Sequence, residues 1–334
     1  MSLLTNYKLV WKRRRLLWRA FRARRDLARV SEPPPELAKD AILGVMCLRD
    51  EMGRLPYTLD YYRKLGVAHF CVVDNDSQDG TFDYLRNQTD VSLWHTKASY
   101  RDARFGLDWT NWLLMKFGHG HWCLTIDADE LLVYAHHDRL DLAALTRWLD
   151  ANGQLGFGAM MLELYPNGPI GAGQMPDNPL DLLEYFDAAP YRAVRQSPMQ
   201  NLWLQGGVRE RVFFQDNPRQ SPTLNKVPLI RWNRRYAYVN STHSLLPRKL
   251  NHLYDGPGGA MPSGVLLHTK FLPEVTQKAE EDTARRQHFH DPDQFTAYYQ
   301  AVSTQPNMHN QQSQKYTGWH QLATLGLMTP GNFS

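Results

Sequence analysis

The chain has little cysteine. Three residues in 334 are cysteine, and Cys47, Cys71 and Cys123 are far apart with no CxxC pair. This excludes a disulfide framework and a thiolate zinc site, and it favours a reducing compartment. No uncharged apolar run approaches the roughly 18 to 20 residues of a membrane span, and the start of the chain has no signal-peptide pattern. We therefore expect a cytoplasmic protein that is neither secreted nor integral to a membrane.

Charge is unevenly distributed, although the formal net charge is only +4. Residues 1–30 contain ten basic side chains and one acidic side chain, so the remainder is mildly acidic. Basic residues recur at steps of three and four over residues 8–29, which predicts a helix with one basic face. This helix could lie on the inner face of a membrane, with Trp11, Trp18 and Phe21 at the lipid headgroups. A solvated arm and a helix packed on its own domain are the alternatives.

Nothing in the rest of the chain resembles a nucleic-acid-binding motif, so nucleic acid is not an expected partner. A run of three prolines at 33–35 follows the basic helix and indicates a short stiff spacer. Beyond it, apolar runs alternate with helix-length segments, which predicts an α/β fold with a parallel sheet covered on both faces. The predicted units are a basic amphipathic helix (1–32), a catalytic domain (38–272) with halves 38–152 and 153–272, and a helical C-terminal cap (273–334).

Acidic side chains cluster where three of the predicted strands end. The segments are Asp50-Glu51, Asp74-Asn75-Asp76 and Asp127-Ala128-Asp129-Glu130. Ligands of an open parallel sheet bind outside the carboxyl ends of its strands. Carboxylates gathered there repel one another unless a cation or a hydrogen-bond donor lies between them, and a divalent metal would meet this need. Asp127 and Asp129 can meet one ion if the strand continues through them, because residues two apart then share a face.

These three segments, in this order, resemble a family 2 glycosyltransferase of the GT-A fold, in its bacterial branch with a DxD motif. The resemblance covers about residues 40–135. It implies a mostly parallel nucleotide-binding sheet with helices on both faces, then a mixed-strand acceptor half and C-terminal helices. It also implies transfer of a hexose from a nucleotide diphosphate, expected to be a UDP-sugar, to a hydroxyl acceptor. The basic helix, which could hold a cytoplasmic enzyme near a membrane, favours a glycan or lipid-linked acceptor in cell-envelope synthesis.

The resemblance also implies roles for single residues. Asp74 would accept a hydrogen bond from the nucleotide base, Asp50 and Glu51 would lie beside the nucleoside, and Asp127 would face the ribose. Asp76 stands where such sequences more often have glycine, so its turn needs a left-handed or Asx conformation.

The implied cofactor is Mn²⁺ or Mg²⁺, which would neutralise charge on the leaving diphosphate. Asp129 is the expected metal ligand together with Asp127, and His268 resembles the late histidine ligand of several GT-A families. Charge-assisted hydrogen bonds to the diphosphate are expected from three basic residues. These candidates are Arg209, Arg211 and Lys270.

Two carboxylates in the second half are candidates for the general base. Glu163 lies in an apolar strand, where an unpartnered carboxylate costs free energy, and Glu210 is the second candidate. The base would take a proton from the acceptor hydroxyl as the sugar acquires oxocarbenium character. A structural ion pair between Glu163 and an arginine is the alternative. Around Glu210, alternation along a strand would put Arg209 and Arg211 on the opposite face.

Two other functions stay open from the sequence. The Asp127-Ala128-Asp129 segment could supply a phosphorylated nucleophile, as in metal-dependent phosphatases, although Leu131 and the fourth-strand position are atypical. A non-catalytic, membrane-associated adaptor would keep the fold and lose the chemistry.

Overall fold

A computed structural model describes residues 3–285 and 292–334. Within this part of the chain the helices are α1 (Leu3–Ala23), α2 (Leu55–Lys64), α3 (Thr81–Arg86), α4 (Leu107–Phe117), α5 (Leu142–Ala151), α6 (Gly207–Phe213), α7 (Val275–Arg285), α8 (Pro292–Ser303) and α9 (Trp319–Thr324). The strands are β1 (Ala28–Arg29), β2 (Ile42–Leu48), β3 (Val67–Asp74), β4 (Val91–His95), β5 (Trp122–Thr125), β6 (Glu130–Val133), β7 (Gly156–Glu163), β8 (Tyr185–Phe186), β9 (Tyr191–Gln196), β10 (Asn201–Gly206), β11 (Asn225–Arg231), β12 (Ala237–Asn240), β13 (Ser244–Leu246), β14 (Ser263–His268) and β15 (Gln314–Lys315).

A nine-stranded sheet forms the centre of the molecule, with strand order β1-β4-β3-β2-β5-β11-β7-β14-β6. Strands β4, β3, β2 and β5 are mutually parallel. In the second half, β11 runs antiparallel to β5 and β7, β14 is parallel to β7, and β6 is antiparallel to β14. The predicted α/β class is therefore confirmed. One side of the sheet, β4-β3-β2-β5, is parallel, and the other side, β11-β7-β14-β6, is mixed.

The chain reverses direction within the parallel half of the sheet. It runs outward from β2 to β3 and β4 through α2 and α3, and α4 then returns it to β5 on the other side of β2. Because such crossovers are right-handed, α2 and α3 cover one face and α4 covers the other. The reversal between β2 and β5 leaves a crevice at the carboxyl ends of these two strands, which is where open α/β sheets bind ligands.

The predicted basic helix is present, but α1 covers residues 3–23 rather than 8–29. Leu9, Leu16 and Ala20 on its inner side are buried against the domain. This side of α1 therefore packs on the domain, as one of the sequence alternatives stated, and the helix is not a fully solvated arm. After α1, strand β1 pairs with the edge strand β4, so the segment before the proline spacer joins the sheet.

Three helices, α7, α8 and α9, lie in the predicted C-terminal cap. Residues 286–291 of that cap lie outside the described residues. Within the described ranges, none of the helices combines the length and the apolar character needed to cross a bilayer.

Candidate functional site

The acidic turn after β2 is bonded to the turn after β3. Asp50 adopts a positive φ of 52°, and its carboxylate accepts a hydrogen bond from the Gln78 amide at 2.6 Å. The Asp50 amide donates to Ser77 Oγ at 2.9 Å, and the Glu51 amide donates to Thr81 Oγ1 at 2.9 Å. These hydrogen bonds hold the Asp50 and Glu51 turn in place beside the crevice between β2 and β5, which we call the switch-point crevice.

Asp74 ends β3 and is completely buried. Its Oδ2 lies 3.0 Å from His95 Nδ1 and accepts from the Ser77 amide at 3.2 Å. Its Oδ1 is buried with no hydrogen-bond partner among the described residues. Asp76 has a φ of 60°, so the left-handed conformation expected at this non-glycine position is confirmed. Its carboxylate lies 3.7 Å from the Lys97 ammonium, within ion-pair distance.

Strand register brings three ionisable residues together at the same edge of the sheet. His268 ends β14 and lies opposite Glu130 in β6 and opposite Glu163 in β7. Asp129 immediately precedes β6, and its backbone oxygen accepts from the Thr269 amide at 2.8 Å. Residues far apart in sequence therefore form one cluster next to the switch-point crevice.

His268 bridges two carboxylates in this cluster. Its Nε2 lies 3.0 Å from Asp129 Oδ2, and its Nδ1 lies 3.4 Å from Glu163 Oε1. Burial would lower the pKa of His268, but the two carboxylates outweigh burial and raise it. Burial likewise opposes ionisation of Asp129, yet His268, then Arg54 and Lys270, hold the pKa of Asp129 well below its usual range. Each group of the pair thus favours the charged form of the other.

Glu163 also forms a buried ion pair with Arg209, and both side chains are almost inaccessible. Burial alone would raise the pKa of Glu163, but Arg209 and His268 lower it. The structural ion pair that the sequence left open is thus present. A carboxylate held in this way stays ionised and orients its partners, His268 above all.

The segment around Glu210 is a helix rather than the expected strand, so the predicted alternation is wrong there. Gly206 and Gly207 have φ values of 137° and 70°, and they turn the chain from β10 into α6. A Cβ atom on Gly206 would lie 2.2 Å from the Pro190 carbonyl oxygen, so only glycine fits at this turn. Side chains along α6 consequently point in different directions.

Glu210 and Arg211 contact different neighbours from Arg209. Glu210 pairs with Arg192 and accepts from Ser221 Oγ at 2.7 Å. Arg211 donates from Nε to Asp187 Oδ2 at 2.8 Å and from Nη2 to Oδ1 at 3.0 Å. Both residues line a cavity of about 400 Å³ between α6, residues 187–190 and residues 310–312.

Lys226 in β11 was not found by sequence analysis. Its side chain is only 4% exposed, and Nζ lies 2.9 Å from Asp127 Oδ2 and 2.8 Å from Glu130 Oε1. Burial would lower the pKa of Lys226, but Asp127 and Glu130 outweigh it and raise the pKa, so the ammonium is charged. The sequence did contain a signal for Lys226, because a lysine inside an apolar strand needs a charged partner, as was argued for Glu163.

Arg54 near the start of α2 was also missed. Its buried guanidinium pairs with Glu274, lies 3.0 Å from Glu51 Oε2 and donates to the Thr269 carbonyl oxygen at 2.9 Å. It also lies 3.8 Å from Asp129 Oδ2. Arg54 and Lys226 thus supply much of the positive charge that the strand-end carboxylates need. The sequence had predicted a metal ion in this role and had identified neither side chain.

The two aspartates of the DxD segment face different partners. Strand β5 ends at Thr125 and β6 begins at Glu130, so the residues between them form a turn. The extended geometry under which Asp127 and Asp129 would meet one ion is absent, and Asp127 contacts Lys226 while Asp129 contacts His268. In the described ranges, no group of three or more His, Cys, Asp and Glu side chains is arranged to hold a metal ion.

Asp129 and His268 nevertheless fit as two ligands of a Mn²⁺ or Mg²⁺ ion, which would take the place of the proton between them, since only a neutral imidazole nitrogen binds a metal. Their facing oxygen and nitrogen are 3.0 Å apart. Two adjacent ligands of an octahedral ion with bonds of about 2.1 Å have a similar separation. Glu163, on the other ring nitrogen, is the kind of carboxylate that orients metal-binding histidines. Substrate phosphates and water are the usual further ligands of such ions.

The electrostatic environment of His243 leads to a testable pH dependence. Its Nδ1 lies 2.5 Å from the Asn225 carbonyl oxygen, and burial, assisted by Lys226, lowers its pKa to about 3. In the unfolded chain the ring binds a proton as the pH falls below about 6.5, whereas the folded protein keeps it neutral. Stability linked to His243 is therefore lost as the pH falls.

We expect the free energy of unfolding to fall by about 1 to 2 kcal/mol more in the unmodified protein than in His243→Gln between pH 7 and pH 5. Urea denaturation of both proteins at each pH measures this difference. Parallel pH profiles would show that His243 takes up a proton equally in the folded and unfolded states.

No protein-family model matches this chain, and no curated protein matches it. Among solved structures, a mannosyltransferase from Pyrobaculum calidifontis in complex with GDP-Man and Mn²⁺ is 19% identical, with a TM-score of 0.28, covering 48% of this chain and 47% of that one. The chain thus spans about half the length of that enzyme. A proposed glucose-1-phosphate thymidylyltransferase from Bacillus anthracis, in complex with a sucrose, is 11% identical, with a TM-score of 0.29, covering 86% and 94%. Because both TM-scores are below 0.5, neither likeness carries the functional proposal.

Proposed function

We propose that this chain is a metal-assisted glycosyltransferase that moves a sugar from a nucleotide diphosphate donor to a hydroxyl acceptor. The observation that carries the proposal is the position of the acidic segments. Asp50, Asp74 and Asp127 follow three neighbouring parallel strands around the topological switch point, and the Asp129–His268 pair lies beside them. A crevice of this kind is where open α/β sheets bind nucleotides.

The nucleoside end of the donor is assigned to the crevice between β2 and β5. Asp74 Oδ1 is a buried carboxylate oxygen that lacks a partner in the described part of the chain. Such an oxygen is stabilised by a hydrogen-bond donor, and the N–H group of a nucleobase, uracil in the UDP-sugar that we propose, would supply one. Asp50, Glu51 and Asp76 line the same rim, and Asp127 is the proposed ribose contact.

The diphosphate is assigned to the edge formed by Asp129, His268 and Lys270. A divalent ion held there by Asp129 and His268 would supply Lewis-acid stabilisation of the leaving diphosphate. Glu163 lies 3.4 Å from His268 Nδ1 and would orient the ring, and Arg209 favours the ionised form of Glu163. Lys270 is partly exposed just after β14, and its charge acts on Asp129 from the same side.

The acceptor is assigned to the cavity beside α6. Both predicted bases are ion-paired, Glu163 with Arg209 and Glu210 with Arg192, but Glu210 lines this cavity whereas Glu163 does not. Glu210 would take the proton from the acceptor hydroxyl as the new glycosidic bond forms. Arg211, held by Asp187, shapes the cavity wall rather than meeting the diphosphate. Glycan and lipid-linked acceptors of the cell envelope both offer such hydroxyl groups.

Nucleotide binding tests this proposal directly. A ligand that binds only the folded state raises the apparent stability, so UDP with Mn²⁺ at about 100 times its dissociation constant should add about 2.7 kcal/mol. A panel of UDP-, GDP- and dTDP-sugars assayed for donor hydrolysis then identifies the donor. Hydrolysis of p-nitrophenyl phosphate without nucleotide binding would favour the phosphatase alternative. A chain that binds no nucleotide and turns over no donor would be the adaptor.

A further inference from the structure

The outward face of α1 carries an unusual density of exposed apolar side chains. Nine large hydrophobic side chains are well exposed in the described part of the chain, and seven of them belong to α1. Leu4, Trp11 and Trp18 recur every seven residues and are between 50% and 62% exposed. A seven-residue step turns an α-helix by only about 20° from a straight line, so these side chains form one row along the helix. We call these three residues the outer row.

A basic row lies along one side of the outer row, and a mixed aromatic and basic row lies along the other. Lys8, Arg15 and Arg22 follow the same seven-residue step on one side, and all three are exposed. On the other side the same step gives Tyr7, Arg14 and Phe21. Arg14 lies over the Trp11 ring at 5.5 Å. Within residues 3–23 there are seven basic residues and no acidic residue.

The opposite side of α1 fixes the helix to the domain. Leu9 and Leu16 pack with Met199, Ala237 and Leu246. Near the C-terminal end, Phe21, which flanks the outer row, also contacts the domain, with its ring edge-on to the Trp112 ring at 5.9 Å. The helix therefore has one apolar side that is buried and a second apolar side that has no covering in the described structure. The outer row lies on a helix that is already folded, so binding through it carries no entropy cost of helix formation.

We propose that the outer face of α1, formed by the outer row and its flanking basic residues, docks in the plane of an anionic phospholipid surface. Trp and Tyr are the side chains that favour the headgroup region, and flanking Lys and Arg are attracted by anionic lipid. The uniform positive charge fits a negatively charged surface. This inference is independent of the proposed transfer reaction, because it depends on a helix outside the sheet edge.

Docking through α1 would also orient the candidate site. Arg19 pairs with the buried Asp108 of α4 at 2.8 Å and donates to the Asp102 carbonyl oxygen at 2.8 Å. Asp102 lies in the loop between β4 and α4, which is at the carboxyl edge of the sheet. The helix is therefore fixed to the edge that carries Asp74 and Asp127. A lipid-linked hydroxyl acceptor would meet that edge without leaving the membrane surface.

Vesicle flotation of the full chain tests the docking surface. We expect flotation with phosphatidylcholine vesicles that contain about 30% phosphatidylglycerol, and at least tenfold weaker binding to pure phosphatidylcholine. Raising the salt from about 0.1 M to about 1 M should release the protein, because the Debye length falls from about 10 Å to about 3 Å. The double variant Trp11→Ser/Trp18→Ser should lower binding at least tenfold.

Two controls separate docking from misfolding. The matched variant Val194→Ser/Leu325→Ser removes two large exposed hydrophobic side chains outside α1 and should bind vesicles like the unmodified protein. Circular dichroism and the melting temperature of both double variants should match those of the unmodified protein. The triple variant Lys8→Gln/Arg15→Gln/Arg22→Gln should lose the preference for anionic vesicles.

Three results would overturn the proposal. One is the absence of flotation with anionic vesicles, and another is undiminished flotation of Trp11→Ser/Trp18→Ser. The third is an oligomer of the unmodified protein, seen by light scattering without lipid, that this variant converts to a monomer. That result would assign the outer row to a second copy of the chain. Nucleotide binding is unchanged by all of these variants, so failure here leaves the transferase proposal intact.

Discussion

Asp129→Asn is expected to lower donor turnover by about 10²- to 10³-fold, the typical loss when one preorganised electrostatic contact to the developing charge is removed. Asparagine keeps the shape and the oxygen acceptor but removes the negative charge that faces His268 at 3.0 Å. It also weakens the proposed ligation of Mn²⁺, because hard divalent ions prefer carboxylate oxygen. The loss should therefore appear mainly in kcat, together with a higher Mn²⁺ concentration for half-maximal rate.

A matched carboxylate away from the sheet edge provides the control. Asp141 caps α5 by accepting a hydrogen bond from the Ala144 amide at 2.8 Å, and asparagine caps helices equally well. Asp141→Asn should therefore keep full turnover and full stability. Turnover of Asp129→Asn within threefold of the unmodified protein would remove Asp129 from the proposed catalytic site, whatever the metal dependence.

Lys226→Met is expected to lower the free energy of unfolding by about 3 to 5 kcal/mol at pH 7, the usual cost of removing one partner from a buried ion pair. The variant leaves Glu130 buried without its cation, while Asp127, whose side chain is 54% exposed, can still be solvated. Burial already raises the pKa of Glu130, and loss of the ammonium raises it further. Denaturation in urea at pH 7 measures the loss.

The pH dependence and a second substitution separate this cause from poor packing of methionine. A raised pKa means that folded Glu130 binds a proton more readily than unfolded Glu130, so the deficit of Lys226→Met should shrink as the pH falls. The double variant Lys226→Met/Glu130→Gln removes the buried charge and should recover at least half of the loss. A double variant no more stable than Lys226→Met would show that ion pairing is not the cause.

Much of the first half of the fold was predictable because its signals are local. Apolar runs such as Ile42–Leu48 and Val67–Asp74 are buried on both faces, so they are continuous in the sequence and predict parallel strands. Acidic residues directly after a strand must lie at the carboxyl edge of the sheet. The left-handed conformation of Asp76 also follows from the residue types of its own turn.

The second half was harder to predict because its elements depend on distant contacts. The segment at Glu210 has the alternation of a strand, yet α6 forms because Gly206 and Gly207, at its start, have positive φ and because α6 packs against β7 and β10. The extent of α1 was also misjudged, since the apolar pattern continues past Ala23, where the chain leaves the helix to pair with β4. The packing of α6 on β7 and β10 and the pairing of β1 with β4 cannot be predicted from local sequence periodicity.

By itself, the sequence determined the α/β class, the order along the chain of the four parallel strands β2 to β5 and the presence of carboxylates at three strand ends. It did not determine which basic side chain pairs with each of these carboxylates. The strand order of the second half decided that Lys226 meets Asp127 and Glu130, and the register of β14 with β6 and β7 decided that His268 meets Asp129 and Glu163. These pairs join residues about 100 to 140 positions apart, and only close packing of the strands makes their charges interact.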